Sequence, residues 1–501
     1  MTVRRPLVIV TVPGRTVAEV RSEIASARDA GADAVEIRFD RWESKELSAA
    51  GALFPSPVPL VATIRSRAEG GEGPDAEEPR ARLLESLGAY PFRWMDLEAA
   101  RDGALAGRLP PPAQLGRILS THLPETASLE DVARLLQEVA PPGAIRKVVL
   151  PASVDRVLRE LLPLVVGAKD REVALMTTGP SGALLRAWSQ RLGLPLVYAR
   201  PADSESTGAP SVEPSQIPID RLVPFLSADE EAPLFAILGH PIGHSRSPRL
   251  HSRWMRSARR AGLYIALDIE SESEFVESLD PLADGGFRGL NVTHPWKAAA
   301  RDVATRVGPG AETVGAANCL TFTDGEIEAE NTDLAAVLRR LDELRQSGGW
   351  DGSELAVVGA GGAAAATLAA VRELGATAYV FARDGRRALA ISEQFGAKLG
   401  LRPEARPFPL VVHATDVGRA GAGALEVPLA ELTAAGTTVL DWVYAADDPT
   451  IRVTTEGAGG RYEDGWRLLV YQAAASFGIW WGSEPSVDEV SAVVREGPCT
   501  A

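Results

Sequence analysis

Short apolar runs alternate with amphipathic stretches through the first half of the chain. The runs are Leu7–Val12, Ala34–Arg38, Leu60–Arg65, Trp94–Leu97, Ile118–Thr121, Ile145–Leu150, Val173–Thr177 and Leu196–Tyr198. Between them lie patterns of helical period such as Val17–Ala30, Leu129–Val139 and Ser153–Leu164. Strand-length runs that alternate with helices predict a parallel sheet. Eight such units in roughly 200 residues suit a closed (β/α)8 barrel, with an open doubly wound sheet as the alternative.

The pattern breaks at Ser227-Ala228-Asp229-Glu230-Glu231-Ala232-Pro233, a short acidic stretch that ends in proline, as linkers do. A second βα series starts at Leu234-Phe235-Ala236-Ile237-Leu238-Gly239. A later strand, Leu355–Val358, runs into Gly359-Ala360-Gly361-Gly362 and an alanine-rich helix. The stretches Leu468–Trp481 and Val487–Val494 read as closing helices. The expected architecture is α/β: an N-terminal barrel fused to a two-lobed protein with a Rossmann lobe. Its units would be residues 1–226, a linker 227–232, a lobe 233–335 completed by 463–501, and a dinucleotide lobe 336–462. No internal repeat is visible. Glu69–Pro79 and residues 203–216 read as loops.

Composition narrows the function. The formal charge of −15 over 501 residues argues against nucleic acid or an anionic membrane as the main partner. No apolar run reaches the roughly 18–20 residues that span a bilayer. The N-terminus leads straight into a strand, so no targeting peptide is expected, and only Cys319 and Cys499 are present. A cytoplasmic, reducing setting fits. Oligomeric state is not legible. Lysine occurs only at 45, 147, 169, 297 and 398, and histidine only at 122, 240, 244, 251, 294 and 413. Among plentiful arginines, a lysine within a strand or tight loop draws attention, because it can lose its proton and arginine effectively cannot.

Active residues of a barrel sit at the C-terminal ends of its strands. Glu36 and Arg38, Arg65 and Glu69, Glu98, His122 and Arg186 fall there, and Lys147 lies within the sixth strand. Alternation sets Lys147 and Val149 opposite Arg146, Val148 and Leu150. If Lys147 points inward, burial disfavours its ammonium form and favours a nucleophilic amine. His122, on the neighbouring strand, would supply a proton shuttle. An exposed strand lysine and an ordinary loop histidine are the competing readings.

Glu36-Ile37-Arg38, the run Arg65 to Glu72, Asp96-Leu97-Glu98, Ser120-Thr121-His122 and Lys147-Val148-Val149-Leu150-Pro151 together resemble the type I 3-dehydroquinate dehydratase family. That resemblance implies that Lys147 forms an imine with the substrate ketone, His122 moves the protons, and Glu69 orients His122. It implies ring-hydroxyl contacts from Glu36 and Arg65 and a carboxylate clamp from Arg186. Arg38 is grouped with the substrate-binding residues, and Gln216 with the lid loop. Val212 stands where the family has a substrate-binding serine, which bears on the lid, with Ser211 and Ser215 as neighbours.

In the second half, strand, GxGxxA turn and helix read as a dinucleotide site, with Gly359, Gly361, Gly362 and Ala363 at the turn. After the next strand, Ala378–Arg383, come Arg383, Asp384, Arg386 and Arg387. Arginines there, with Arg383 and Arg387 as the candidates, suit a 2′-phosphate and favour NADP over NAD, although Asp384 could repel it. Gly239–Pro248, Asn291–Lys297, Gly315–Asn318, Asn331-Thr332-Asp333, Asp441–Tyr444 and Tyr471–Ala474 resemble shikimate dehydrogenase. The resemblance implies that Ser245 and Ser247 bind a carboxylate and that Lys297 and Asp333 form the catalytic pair. Thr293, Asn318 and Gln472 would hold ring hydroxyls, and Tyr444 would border the carboxylate. His240, His244 and His294 are expected to be structural, and no metal is needed. The expected whole is a lyase and NADPH-dependent oxidoreductase acting on 3-dehydroquinate, then 3-dehydroshikimate, to give shikimate. A non-catalytic barrel, or a second half that oxidises quinate, are the rivals.

Overall fold

The computed structural model describes residues 5–168, 171–202, 213–228, 231–400, 406–419, 423–427, 429–444, 446 and 448–488. Position 212 and most of the expected helix Val487–Val494 lie outside them. Eight parallel strands form the first sheet: β1 Leu7–Val12, β2 Ala34–Arg38, β3 Leu60–Thr63, β4 Trp94–Glu98, β5 Gly116–His122, β6 Ala144–Pro151, β7 Val173–Thr178 and β8 Leu196–Ala199. Their order is β7-β6-β5-β4-β3-β2-β1-β8. The barrel is nearly closed: β8 pairs with β1, but no ladder joins β7 to β8 among the described residues. The expected eight-stranded α/β barrel is the fold observed. Runs such as Val8, Val10 and Val12 are fully buried because surrounding helices cover the outside and side chains fill the inside. The helix Val17–Asp29 shows how the local sequence starts each unit: Thr16 and Glu19 form a reciprocal capping box. The expected helix 153–164 forms with a π-helical turn at Val157–Leu161.

A second, mixed sheet contains β9 Leu234–Gly239, β10 Leu263–Asp268, β11 Phe287–Val292, β12 Arg306–Val307, β13 Cys319–Thr323 and β14 Glu326–Glu330, in the order β10-β9-β11-β13-β14-β12. The third is fully parallel: β15 Glu354–Val358, β16 Thr377–Phe381, β17 Lys398–Leu399, β18 Leu410–His413, β19 Thr438–Asp441 and β20 Arg461–Glu463, ordered β17-β16-β15-β18-β19-β20. Its order reverses between β15 and β18, which opens a crevice at their C-terminal ends, where ligands of such sheets bind. Barrel and second sheet share one continuous apolar core. The Trp188 indole N–H donates to the Gly285 carbonyl at 2.8 Å, and its ring packs edge-on against Phe287.

Candidate active sites

Register aligns Glu98, Ser120 and Lys147 across β4, β5 and β6. Lys147 is 5% exposed and projects into the barrel, where Nζ lies 4.7 Å from the centre of the Tyr198 ring on β8. The exposed-lysine alternative is thereby excluded. The sequence reading named no partner for the amine, and the structure supplies one: Nζ donates to Asp96 Oδ2 at 2.7 Å. Burial opposes ionisation of Asp96, but the adjacent Arg65 and Lys147 charges outweigh it and hold the carboxyl far below the usual range.

His122 Nδ1 lies 2.7 Å from Glu69 Oε2. Burial, with help from the Arg65 and Lys147 charges, holds the imidazole well below its ordinary pKa, so it is neutral at pH 7. Glu69 moves the other way: burial and the neighbouring Glu98 and Asp96 charges outweigh Arg65 and raise it to about 7. A neutral imidazole beside a carboxyl poised near neutrality is suited to proton transfer.

Arg65, 4% exposed, is a hub. It donates to Asp96 at 2.7 Å, Ser120 at 2.8 Å and Glu69 at 3.0 Å, with Glu98 at 3.4 Å. Glu36 accepts from Thr11 and Thr63, each at 2.8 Å. Arg38 is clamped in bidentate fashion by Asp40. Arg186 differs from these. It is 2% exposed, and among the described residues it bonds only backbone carbonyls, of Thr177 at 2.7 Å and of Gly182. Its Nε, the Gln216 Oε1 and the Tyr198 hydroxyl have no hydrogen-bond partner among the described residues. Burial pulls Arg186 down to about 10 against the opposing pull of Glu213. An unmatched buried cation with orphaned polar groups around the same barrel mouth fits a hydroxylated carboxylate ligand.

At the second site, Lys297 opens the helix Lys297–Asp302 and donates to Asp333 Oδ2 at 2.6 Å. Asp333 lies in the first turn of the helix Thr332–Gln346, where the helix dipole favours a carboxylate. Ser245 Oγ accepts from the Ser247 N–H at 3.3 Å. Thr293 follows β11 and packs on Gly239, which has no room for a side chain. Asn318 donates to Gln472 at 3.5 Å and accepts from the Thr332 N–H at 2.7 Å. Tyr444 stands against Trp466, with the Arg419 guanidinium over its ring.

Behind these residues runs a buried network absent from the sequence reading. Tyr264 donates to Asn291 Oδ1 at 2.7 Å, and Asn291 Nδ2 donates to Ser476 at 2.9 Å and to the Asn318 carbonyl at 3.1 Å. Asp96 was missed likewise. The signal for it was available: Asp96 and Glu98 share one face of an otherwise apolar strand.

The glycine turn takes the expected form. Gly359 has φ +129°, and a Cβ there would lie 2.5 Å from the Ala414 carbonyl. Gly361 faces open space and precedes the helix Gly362–Glu373, whose first turn has no side-chain cap. Its free amides form an anion cradle. A Cβ on Gly362 would touch Lys297 Cδ at 3.6 Å, so the cradle borders the Lys–Asp pair. Ala363 follows in the same turn. Arg383 and Arg387 are exposed, and Asp384 is occupied in capping the helix Gly385–Phe395 through the N–H groups of Arg386 and Arg387. His240 pairs with Asp268 at 2.7 Å.

Fold and geometry define the class: an α/β barrel with a buried lysine and a His–Glu pair, joined to a two-lobed protein with a glycine-turn dinucleotide fold. Residues 8–233 match type I 3-dehydroquinase, and residues 237–320 match the shikimate dehydrogenase substrate binding domain. Shikimate dehydrogenase (NADP(+)) of Paracoccus denitrificans is 36% identical over 276 residues, covering 54% of this chain and 97% of the relative. That of Acidiphilium cryptum is 37% identical over 264 residues, covering 52% and 94%. Among solved structures, dehydroquinate dehydratase and shikimate dehydrogenase from S. pombe aligns over 98% of both chains, at 21% identity and a TM-score of 0.42. The chain belongs to the shikimate dehydrogenase family through its C-terminal half and carries a type I 3-dehydroquinase domain in its N-terminal half. It thus joins a lyase domain and an oxidoreductase domain. Among the described residues, no helix is long and apolar enough to cross a membrane.

Proposed function

We propose that the two sites catalyse consecutive steps: dehydration of 3-dehydroquinate to 3-dehydroshikimate, then reduction to shikimate with NADPH. In the barrel, the Lys147 ammonium gives its proton to water, and the resulting amine adds to the ring ketone and expels water as the iminium forms. Neutral His122, oriented by Glu69, takes the proton from the carbon next to the iminium. The same imidazole returns a proton to the departing hydroxyl, and hydrolysis of the imine frees the amine. Arg186 grips the carboxylate, with Gln216, Glu36, Arg38 and Arg65 shaping the polar mouth. Asp96 fixes the amine between turnovers.

In the second unit, Ser245, Ser247 and Tyr444 hold the carboxylate, and Thr293, Asn318 and Gln472 hold the ring hydroxyls. Lys297, steadied by Asp333, gives a proton to the ketone oxygen and stabilises developing alkoxide. The open amides at Gly361, Gly362 and Ala363 fit a pyrophosphate, and Arg383 and Arg387, exposed and held only by surface pairs with Glu426 and Asp384, can turn to meet a 2′-phosphate. When bound, NADPH supplies the hydride. A cytoplasmic setting belongs to this reading, and the buried free thiol of Cys319 agrees with it.

The observation that carries the proposal is the placement of two scarce lysines on carboxylates, Lys147 inside the barrel and Lys297 beside the glycine turn. The test is a coupled assay of the whole protein on 3-dehydroquinate. The expected result is NADPH consumption with shikimate formed in equal amount. Consumption from 3-dehydroshikimate but not from 3-dehydroquinate would overturn the dehydratase half, and accumulation of 3-dehydroshikimate with no NADPH consumed would overturn the reductase half.

A further inference from the structure

A buried histidine that the proposed mechanism leaves unused sits where the dinucleotide crevice meets the second site. His413 ends β18 and is 0% exposed. It lies in register with Val358, the last residue before the glycine turn. Nδ1 is 2.8 Å from Asp441 Oδ1, and Nε2 is 2.6 Å from Thr415 Oγ1.

The protons of this chain can be counted. Thr415 Oγ1 accepts the Val417 N–H at 3.2 Å, and its own O–H is the only proton between it and the imidazole when His413 is neutral with hydrogen on Nδ1. Nδ1–H then donates to Asp441. Asp441 accepts further from the Val443 N–H at 2.9 Å and the Tyr462 hydroxyl at 2.9 Å. One tautomer therefore satisfies each of these groups.

The couple ties together two loops. On one side are Ala414 and Thr415, which press on Gly359: a Cβ there would lie 2.5 Å from the Ala414 carbonyl and 3.2 Å from Thr415 Cγ2. On the other side are Val443 and Tyr444, the residue beside the expected carboxylate subsite. Arg419 completes the clasp from the first loop by covering the Tyr444 ring at 5.4 Å.

We infer that His413, held by Asp441, is a positioning residue that fixes the Thr415 loop against the glycine turn and so presets the dinucleotide crevice. The inference rests on the reading of that crevice as the NADPH site. His413 touches no reacting atom and acts through Thr415. Replacing Thr415 by valine keeps the shape but removes the hydroxyl and strands Nε2 in a buried place. The loop then pays in lost order, and affinity for the cofactor should fall about tenfold, equivalent to about 1.4 kcal/mol.

The experiment measures NADPH binding to the whole protein by fluorescence titration, without turnover, for wild type, Thr415→Val, His413→Phe and His413→Gln. Dehydratase activity of the barrel serves as the folding control. The expected result is a Kd raised about tenfold in Thr415→Val and at least as much in His413→Phe. Partial recovery is expected in His413→Gln, whose amide can still accept from Thr415. Barrel activity should be unchanged, and the KM for NADPH should rise more than kcat falls. In nitrogen NMR the wild-type His413 should show the Nδ1-protonated tautomer. Wild-type binding in Thr415→Val, or the other tautomer, would overturn the inference while leaving the NADPH reading intact. Failure of the wild type itself to bind NADPH would instead sink that reading.

Discussion

Replacing Arg186 with methionine should cost the empty protein little stability and abolish capture of the substrate carboxylate. The guanidinium is buried, bonds only carbonyls among the described residues, and is pulled down by burial to about 10. At about 1.4 kcal/mol for each tenfold step in proton affinity, confining this charge costs the empty fold about 3 kcal/mol. Methionine removes that cost and gives up two carbonyl hydrogen bonds from a charged donor, at about 1.5 kcal/mol each. The two terms offset, so the unfolding temperature should stay within about 2–4 °C of wild type for a domain this size. Binding should fall sharply. Losing one partner of a buried charge pair costs about 2–5 kcal/mol, so KM for 3-dehydroquinate should rise at least about thirtyfold. Calorimetric unfolding with and without saturating 3-dehydroshikimate checks both arms. The wild-type barrel transition should rise with ligand, and that of the variant should start close to the wild-type value and stay put. A variant that melts far below wild type, or that keeps the full ligand shift, would refute the assignment of an unmatched carboxylate clamp.

Other outcomes follow from the same geometry. Lys147→Ala should abolish dehydration and leave reduction intact, and Lys297→Ala should do the reverse; a folded variant that lost both activities would contradict separate sites. With Glu69 raised to about 7, kcat/KM for dehydration should climb through about pH 7 as that carboxyl ionises, and Glu69→Gln should remove the inflection. His251, buried and stacked on Tyr264, is held down to about 3 by desolvation. The unfolded chain takes up its proton first, so stability should fall as pH drops from about 6.5 toward 3, by up to about 5 kcal/mol, and His251→Phe should flatten that slope in urea melts. Arg383→Ala should raise KM for NADPH more than for NADH, and equal effects would remove the 2′-phosphate role.

Much of the fold was legible because each strand is a short apolar run closed by a polar residue. Strand β6 was expected at Ile145–Leu150 and spans Ala144–Pro151. Lys147 was singled out by the scarcity of lysine and by alternation along its strand, both readable locally. Its partner was not, because which carboxylate meets the amine depends on how β4 and β6 curve about β5, and Asp96 is 51 positions away. The network through Asn291 and Ser476 spans 185 positions and is invisible for the same reason. Asp384 read as a possible repellent to phosphate because residue type does not reveal backbone direction; its carboxylate faces two amides of its own helix. The missing β7–β8 ladder is likewise a property of closure rather than of either strand. Arg65 read as a ligand for hydroxyls, whereas three acidic side chains and Ser120 already take its donors in this structure.

The imine is the central claim, and reductive trapping tests it most directly. The whole protein would be mixed with 3-dehydroquinate, quenched with borohydride, digested and sequenced by mass spectrometry. A single reduced adduct on the peptide that bears Lys147, absent from Lys147→Ala, is the predicted result. Full dehydratase turnover with no adduct at that lysine would contradict it.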